Sequence, residues 1–410
     1  MQDLLFLAHR IPYPPDKGEK IRAWHGLDHL ARTHRIHLGC FIDDPDDAAH
    51  LPTLAARCAD VAAIRLDRRR QRLRALARLR RGRPLSLGYF HDSRLAAWVA
   101  AKRARGIDRA FVYCSAMAPY LLHARGMRRV LDMVDVDSAK WEAYAEAASW
   151  PLRAVWAREA RTLSAFERRA AAAFDRTLFV SAEECAAFVA RLDRAATASR
   201  CDWYDNGVDA AYFAPAAVTA PPPWPGGGPV AVFTGTMDYR PNIEAAVWFA
   251  QAVLPRLREA HPALRFAIVG ASPAPAVARL AARPGVIVTG RVADVRPYLA
   301  HAAVAVAPLA IARGIQNKVL EAMAMARPVV ATPPAFAGLR AEPGRELLVA
   351  DGAPAFAAAV AAVLDGQHPA LGAAARAAVL ARYAWRATLA RLDAAFAAPP
   401  LPARSQEVVT

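Results

Sequence analysis

Residues 314–332 read GIQNKVLEAMAMARPVVAT and place Lys318 and Glu321 three residues apart in a helical pattern that opens after a glycine. The first N–H groups of a helix are unpaired and carry a partial positive charge, which suits a phosphate; here they fall around Gly314 and Asn317. Lys318 adds a full positive charge at that end, an unfavourable contact with the helix dipole unless an anion offsets it. Glu321 shares the helix face of Lys318, and one carboxylate can accept hydrogen bonds from both hydroxyls of a vicinal diol such as a ribose. Phosphate plus diol reads as a nucleotide. An ordinary Lys–Glu surface pair has the same spacing, so the elements around the pair must decide.

HAAVAVAPL precedes the stretch and RPVVAT closes it, so the local unit is strand, loop, helix, strand, with the polar residues where loop becomes helix. The same alternation runs through the chain. Strands are expected at 3–9, 36–41, 61–66, 109–114, 129–135 and 176–181, with helices at 21–32, 93–105, 138–173 and from 182 between them. Residues 214–229, APAAVTAPPPWPGGGP, are too rich in Pro and Gly for a helix or a central strand and read as a linker. Beyond it come strands at 230–235, 264–270, 286–290, 304–309, 328–332 and 347–350, helices at 242–260, 275–282 and 353–364, and a final helix at 372–397. Alternation of this kind predicts parallel sheets covered on both faces. The chain therefore reads as two doubly wound, Rossmann-like α/β domains facing across a cleft: 1–213, and 230–382 after the linker. Residues 383–397 are expected to cross back to the first domain, and 398–410 to form a disordered tail. Ligands of such sheets bind outside the carboxyl ends of the strands.

The 410 residues exceed what one core usually serves, and 55% hydrophobic with 22% charged residues excludes a disordered chain. Lys plus Arg outnumber Asp plus Glu by 53 to 37, for a formal charge of +16, which favours an anionic partner without choosing one. Five scattered cysteines form no CxxC pair, arguing against a zinc site or a disulfide framework. MQDLLFLAHR has only a five-residue apolar run, too short for a signal peptide, and no run approaches the ~18 residues of a transmembrane helix. The expected location is cytoplasmic, with peripheral attachment to the inner membrane. Residues 67–84, DRRRQRLRALARLRRGRP, form a basic amphipathic pattern that suits an anionic membrane surface.

The stretch around Lys318 resembles the donor-nucleotide motif of GT-B glycosyltransferases of family 4, whose pattern is E-x7-E followed by A-M-A and P-V-V. With HRIPYPPDKGEKIRAWH near the N-terminus it is similar to the sugar transferases associated with exosortase (PEP-CTERM) systems, over nearly the whole chain. The resemblance implies that Glu321 binds the ribose, and it puts Arg313, in place of the family's first Glu, beside the transferred sugar. FTGTMDYRPN (233–242) looks like the first strand and loop of the family's C-terminal domain. Gly235 and Thr236 would let the backbone approach the diphosphate, and Arg240 would contact it. A Lys that often follows such an Arg is missing, and Lys318 would replace its charge. VTGRVADVRP (288–297) resembles the segment that passes the base, through Arg291 and Val292. YDNGVDAAYF (204–213) resembles the signature that ends the N-terminal domain.

Pro15–Lys20 stands where the family has a glycine-rich loop over donor phosphates and acceptor; only Gly18 remains, and Lys17, Lys20 and Arg22 would face an anionic acceptor. In LDMVDVDSAKW (131–141) the family often has a His at the strand end. Asp135 and Asp137 stand there instead, one of them expected near the reacting sugar and the other toward the acceptor, or capping the next helix. Asp135-Val136-Asp137 also spells the D-x-D metal motif of the GT-A fold, but the resemblance implies diphosphate binding by helix dipole and cations, with no metal and no cofactor besides the donor.

The expected activity is that of a retaining, hexosyltransferase-type glycosyltransferase (EC 2.4). It would move sugar from a nucleoside diphosphate sugar to a glycan or polyprenyl-linked acceptor in exopolysaccharide assembly. Lys318, Arg240 and Asp135 form the catalytic set. Three alternatives stay open: a nucleotide-sugar 2-epimerase of the same fold, a non-catalytic scaffold, and a basic nucleotide- or nucleic-acid-binding protein. No nucleic-acid-binding module is recognisable.

Overall fold

The computed structural model describes residues 1–15, 18–67, 71, 83–224, 226–312 and 314–397. Lys17, Arg313, most of the basic segment 67–84 and the tail 398–410 lie outside the described residues. The chain divides into two compact units, Met1–Asp205 with Leu389–Thr410, and Asn206–Thr388.

The first unit is built on seven parallel strands: β1 (Gln2–Ala8), β2 (His34–Ile42), β3 (Asp60–Arg65), β4 (Arg109–Tyr113), β5 (Arg128–Val134), β6 (Arg176–Phe179) and β7 (Cys201–Trp203). Their order is β3-β2-β1-β4-β5-β6-β7. Every residue from Leu4 to Ala8 is fully buried, because β1 is central and covered on both faces. Leu5 lies opposite Ala110 of β4 on one side and His37 of β2 on the other. The order reverses between β1 and β4, which makes their carboxyl ends the switch point.

The second unit has six parallel strands: β8 (Val230–Thr234), β9 (Arg265–Val269), β10 (Val286–Gly290), β11 (Val304–Ala307), β12 (Val329–Ala331) and β13 (Leu348–Val349). Their order is β10-β9-β8-β11-β12-β13, with the switch point between β8 and β11.

Several expected elements differ. The helix expected over 138–173 is two, Asp137–Ala147 and Leu152–Ala173, because Pro151 cannot sit within a continuous helix. The helix at 242–260 starts at Arg240 and has a π turn, Phe249–Val253, just before Pro255, whose missing N–H cannot close an α-helical turn. The last expected helix is three, Leu371–Arg382, Trp385–Thr388 and Ala390–Ala397, and the division between units falls between the second and third. The other division falls at Asp205/Asn206 rather than in the Pro/Gly-rich 214–229. That segment is held to the second unit by Trp224, which is buried against Tyr298, and Val208 ahead of it donates its N–H to Tyr383 O at 2.8 Å. β7 is an edge strand of three residues, too short to show a period.

Among the described residues no helix is long and apolar enough to cross a membrane. All five cysteines are free.

Candidate active site

The switch point of the second unit assembles the residues singled out in the sequence around Lys318. β8 ends at Thr234 and runs into Gly235, whose φ is +153°. Gly270, after β9, shares that φ, and a Cβ there would lie 1.7 Å from Gly235 O. The two loops therefore touch backbone to backbone, which only glycine permits. A Cβ on Gly235 would meet Asn242 Nδ2 at 2.7 Å and Lys318 Nζ at 3.2 Å.

Asn242 orders this corner. Its amide donates to Thr236 O at 2.9 Å, and its Oδ1 accepts from Lys318 Nζ at 2.5 Å. The Lys318 ammonium also lies 4.7 Å from the Phe233 ring centroid, a cation–π contact. Helix Asn317–Ala324 presents Lys318 and Glu321 from its first turns, following Gly314 at φ +62°. Its N-cap residue, Gln316, makes no side-chain cap, so the first N–H groups keep their capacity for an anion. Burial pushes the Lys318 ammonium down to about 8, an effect that Glu321 only partly offsets. Burial likewise pushes the Glu321 carboxyl up to about 7, partly offset by Lys318. Among the described residues no group donates a hydrogen bond to the Glu321 carboxylate. The trio is thus under-compensated: an ammonium, a carboxylate and a helix start, each lacking a full complement of partners. A nucleoside diphosphate offers an anion to the first and third and hydroxyl donors to the second.

Arg240 does not join this group. It opens its helix, its side chain is 86% exposed, and its Nε pairs with Glu244 Oε1 one turn on at 2.7 Å. The cation expected beside Lys318 is replaced by the neutral amide of Asn242, which the sequence reading passed over. Arg291 and Val292 follow the end of β10, with Arg291 exposed. Gly270 was also missed; its signal is a glycine directly after an apolar run, at the same place as Gly235.

The first unit has its own polar cluster at its switch point. His9, directly after β1, stacks on Tyr113 (5.8 Å between centroids), and its Nε2 lies 3.6 Å from Glu19 Oε2. Burial opposes a charge on His9, but contact with Cys114 and Glu19 outweighs it and raises the imidazole to about 10. Burial likewise opposes the Glu19 carboxylate, yet His9 and Arg10 hold it down to about 2. Cys114, after β4, takes φ +70°, and Val134, at the end of β5, takes φ +68°, an uncommon conformation for a β-branched residue. These backbone kinks fall where the strands of the first unit hand over to their loops.

Asp135 and Asp137 are brought together by Lys140, whose Nζ lies 3.1 Å from Asp135 Oδ2 and 3.3 Å from Asp137 Oδ1. Ser115 Oγ donates to Asp137 Oδ2 at 3.3 Å. Burial disfavours the Lys140 charge, but the two carboxylates outweigh it and raise the lysine above its ordinary value. The D-x-D triplet thus holds an ammonium in place. Helix Gly18–Leu30 begins at Gly18, but its Lys20 and Arg22 turn inward. Lys20 Nζ is buried on Asp47 Oδ1 at 2.8 Å. Arg22, 1% exposed, forks onto Asp132 through Nε (2.9 Å) and Nη2 (3.1 Å), donates Nη1 to Tyr204 O at 2.9 Å, and stacks 3.5 Å above the Tyr204 ring. Tyr204 O–H donates to the same carboxylate. The expectation that Lys20 and Arg22 face an acceptor is therefore corrected. Each buried charge is compensated by an aspartate of the same unit, so the pairing is structural.

Two parallel-sheet α/β units of this topology define the class, the GT-B glycosyltransferase fold, as comparison with solved structures shows. Sucrose-phosphate synthase from Thermosynechococcus elongatus is 19% identical with a TM-score of 0.64, over 96% of this chain and 98% of that one. Anabaena HepE, in complex with UDP and glucose, is 16% identical with a TM-score of 0.65, over 96% and 99%. The α,α-trehalose 6-phosphate synthase from Burkholderia multivorans is 15% identical with a TM-score of 0.65, over 97% and 98%. More narrowly, residues 228–366 match the family model of glycosyl transferases group 1, a match lying wholly in the second unit around Lys318. No curated protein matches the chain.

Proposed function

We propose that the protein is a glycosyltransferase that moves a sugar from a nucleoside diphosphate sugar to an acceptor with retention of configuration. The observation that carries this reading is the under-compensated trio of Lys318, Glu321 and the start of their helix. It lies at the switch point of a unit that matches group 1 glycosyltransferases. That HepE is solved with UDP and with UDP-glucose favours a UDP-sugar as the first donor to test.

Each residue then has a task. The helix start and Lys318 hold the diphosphate; Gly235 and Gly270 keep the approach clear of side chains; Glu321 accepts from the ribose hydroxyls. As the sugar leaves, negative charge grows on the diphosphate. A preoriented ammonium in a half-buried site stabilises that charge more than it stabilises the bound donor. Asn242 fixes the direction of the Lys318 ammonium and is a positioning residue. The scheme uses no metal, and Asp135 and Asp137 serve through Lys140 on the acceptor side. A polyprenyl-linked or oligosaccharide acceptor and a role in exopolysaccharide assembly complete the proposal.

The test is a panel of nucleotide sugars assayed for nucleoside diphosphate release, with and without lipid-linked acceptor and with excess EDTA. Acceptor-dependent release that survives the chelator supports the proposal. An epimerised sugar, or no turnover with any donor, overturns it, and loss in EDTA restored by Mn²⁺ overturns the metal-free scheme.

A further inference from the structure

The first unit carries a groove of about 570 Å³ formed by helix Leu152–Ala173, the short helix Ser86–Tyr89 and the turn after β4. Its floor is apolar, from Leu87, Leu122 and Phe166, and its rim is basic, from Arg83, Arg161 and Arg169, with His91 and His123 beside them. Among the described residues no carboxylate lines it. The two acids of the long helix are engaged elsewhere: Glu159 accepts from Leu85 N, Ser86 N and Ser86 Oγ, and Glu167 from Ser138 N and Oγ. Among the described residues no carboxylate pairs with Arg83, Arg161 or Arg169. An apolar trough under three uncompensated guanidinium groups matches an amphiphile with an anionic head.

The same helix has an apolar tip. Trp150 is 81% exposed, Leu152 53% and Val155 37%. Val155, Thr162 and Arg169 recur every seven residues, so one helix face runs from this tip into the groove. Exposed Trp and aliphatic side chains followed by arginines are the pattern of a helix lying at a bilayer surface, with aromatic rings among the headgroups and cations on lipid phosphates.

We propose that this face docks the first unit on an anionic bilayer, with Trp150, Leu152 and Val155 entering the headgroup layer and the groove receiving a lipid phosphate between Arg83, Arg161 and Arg169. The site stands on the first unit alone and goes beyond the donor site argued above. Of its arginines, it shares only Arg83 with the basic segment 67–84.

The experiment is co-sedimentation of the full chain with phosphatidylcholine vesicles and with vesicles carrying phosphatidylglycerol. UDP binding is measured on the same preparations, so that failure of the donor reading shows separately. Binding to the anionic vesicles only, weakened at least tenfold by R161E/R169E and at least threefold by W150S/L152S, is the expected result. If R161E/R169E does not fold, W150S/L152S, at exposed positions, decides the matter. Equal binding to neutral vesicles, binding to neither, or unchanged binding by the folded variants overturns the proposal. Displacement by inorganic phosphate beyond that by chloride of matched ionic strength would assign the groove to a free phosphate and overturn the lipid.

Discussion

Asn242 Oδ1 accepts from Lys318 Nζ at 2.5 Å across the switch point of the second unit, joining residues 76 positions apart in the chain. The amide neutralises nothing. It orients the ammonium while leaving its charge for a ligand, and burial depresses that charge to a pKa of about 8. Asn242→Asp should convert the contact into an ion pair. The carboxylate loses the donation to Thr236 O, so the empty protein should not melt higher, and nucleoside diphosphate should bind at least tenfold more weakly, because the carboxylate competes with the ligand. Thermal melts and calorimetry check both; tighter diphosphate binding would refute the role given to Lys318.

Lys318→Met removes a half-buried charge that also opposes the helix dipole, a contact worth about 0.3–1 kcal/mol. The ligand-free variant should be as stable as the parent or slightly more so. Turnover should fall about 100-fold or more, the scale of losing one preorganised transition-state contact, with a much smaller loss of donor affinity. Loss of several kcal/mol in the ligand-free melt would make Lys318 a structural partner instead.

The pH dependence of stability has two limbs of opposite sign. Glu321 is raised from its ordinary 4.5 to about 7. Over that window the folded protein holds a proton that the unfolded chain has released, so this group's contribution to stability falls as pH rises. Lys318 is lowered from 10.5 to about 8. There the unfolded chain holds the extra proton, so stability recovers between about pH 8 and 10.5. Between pH 7 and 8 both penalties are present in full. Glu321→Gln should flatten the acid limb and Lys318→Met the alkaline one, read from melts across pH. Diphosphate affinity should fall above pH 8 in the parent and lose that dependence in Lys318→Met.

Gly270→Ala places a Cβ 1.7 Å from Gly235 O at φ +153°. Backbone must move to admit it, and a loss of about 3 kcal/mol or more is expected, beyond the usual range for a point substitution. Gly235→Ala meets the movable ends of Asn242 and Lys318 instead. It should lose less stability than Gly270→Ala and most of its turnover. The ordering of the two melting temperatures, with kcat for Gly235→Ala, is the check.

Arg22→Met leaves Asp132 buried without its cationic partner, which should cost about 3–5 kcal/mol. A variant that kept its melting temperature but raised acceptor KM would restore Arg22 to the acceptor side.

The local patterns were legible in the sequence. Buried runs such as Leu4–Ala8 and Val230–Thr234 announce central parallel strands, because a strand covered on both faces is apolar at every position. Lys318 and Glu321 announce themselves because three residues on a helix bring side chains to one face. The linker at 214–229 was read from composition, but a unit boundary is set by contacts, and Trp224 and Val208 attach that region to the second unit. Charge alone could not say which way a cation points. Arg240 and Arg22 are the same residue type in loop-to-helix segments, yet one is solvated beside Glu244 and the other is buried on Asp132. The partners that decide this lie four residues away in the first case and 110 in the second. Asn242, Gly270 and His9 acquire a role only when parallel strands bring their carboxyl ends side by side. That adjacency follows from strand order, which hydrogen bonding across the sheet determines and no local spacing encodes.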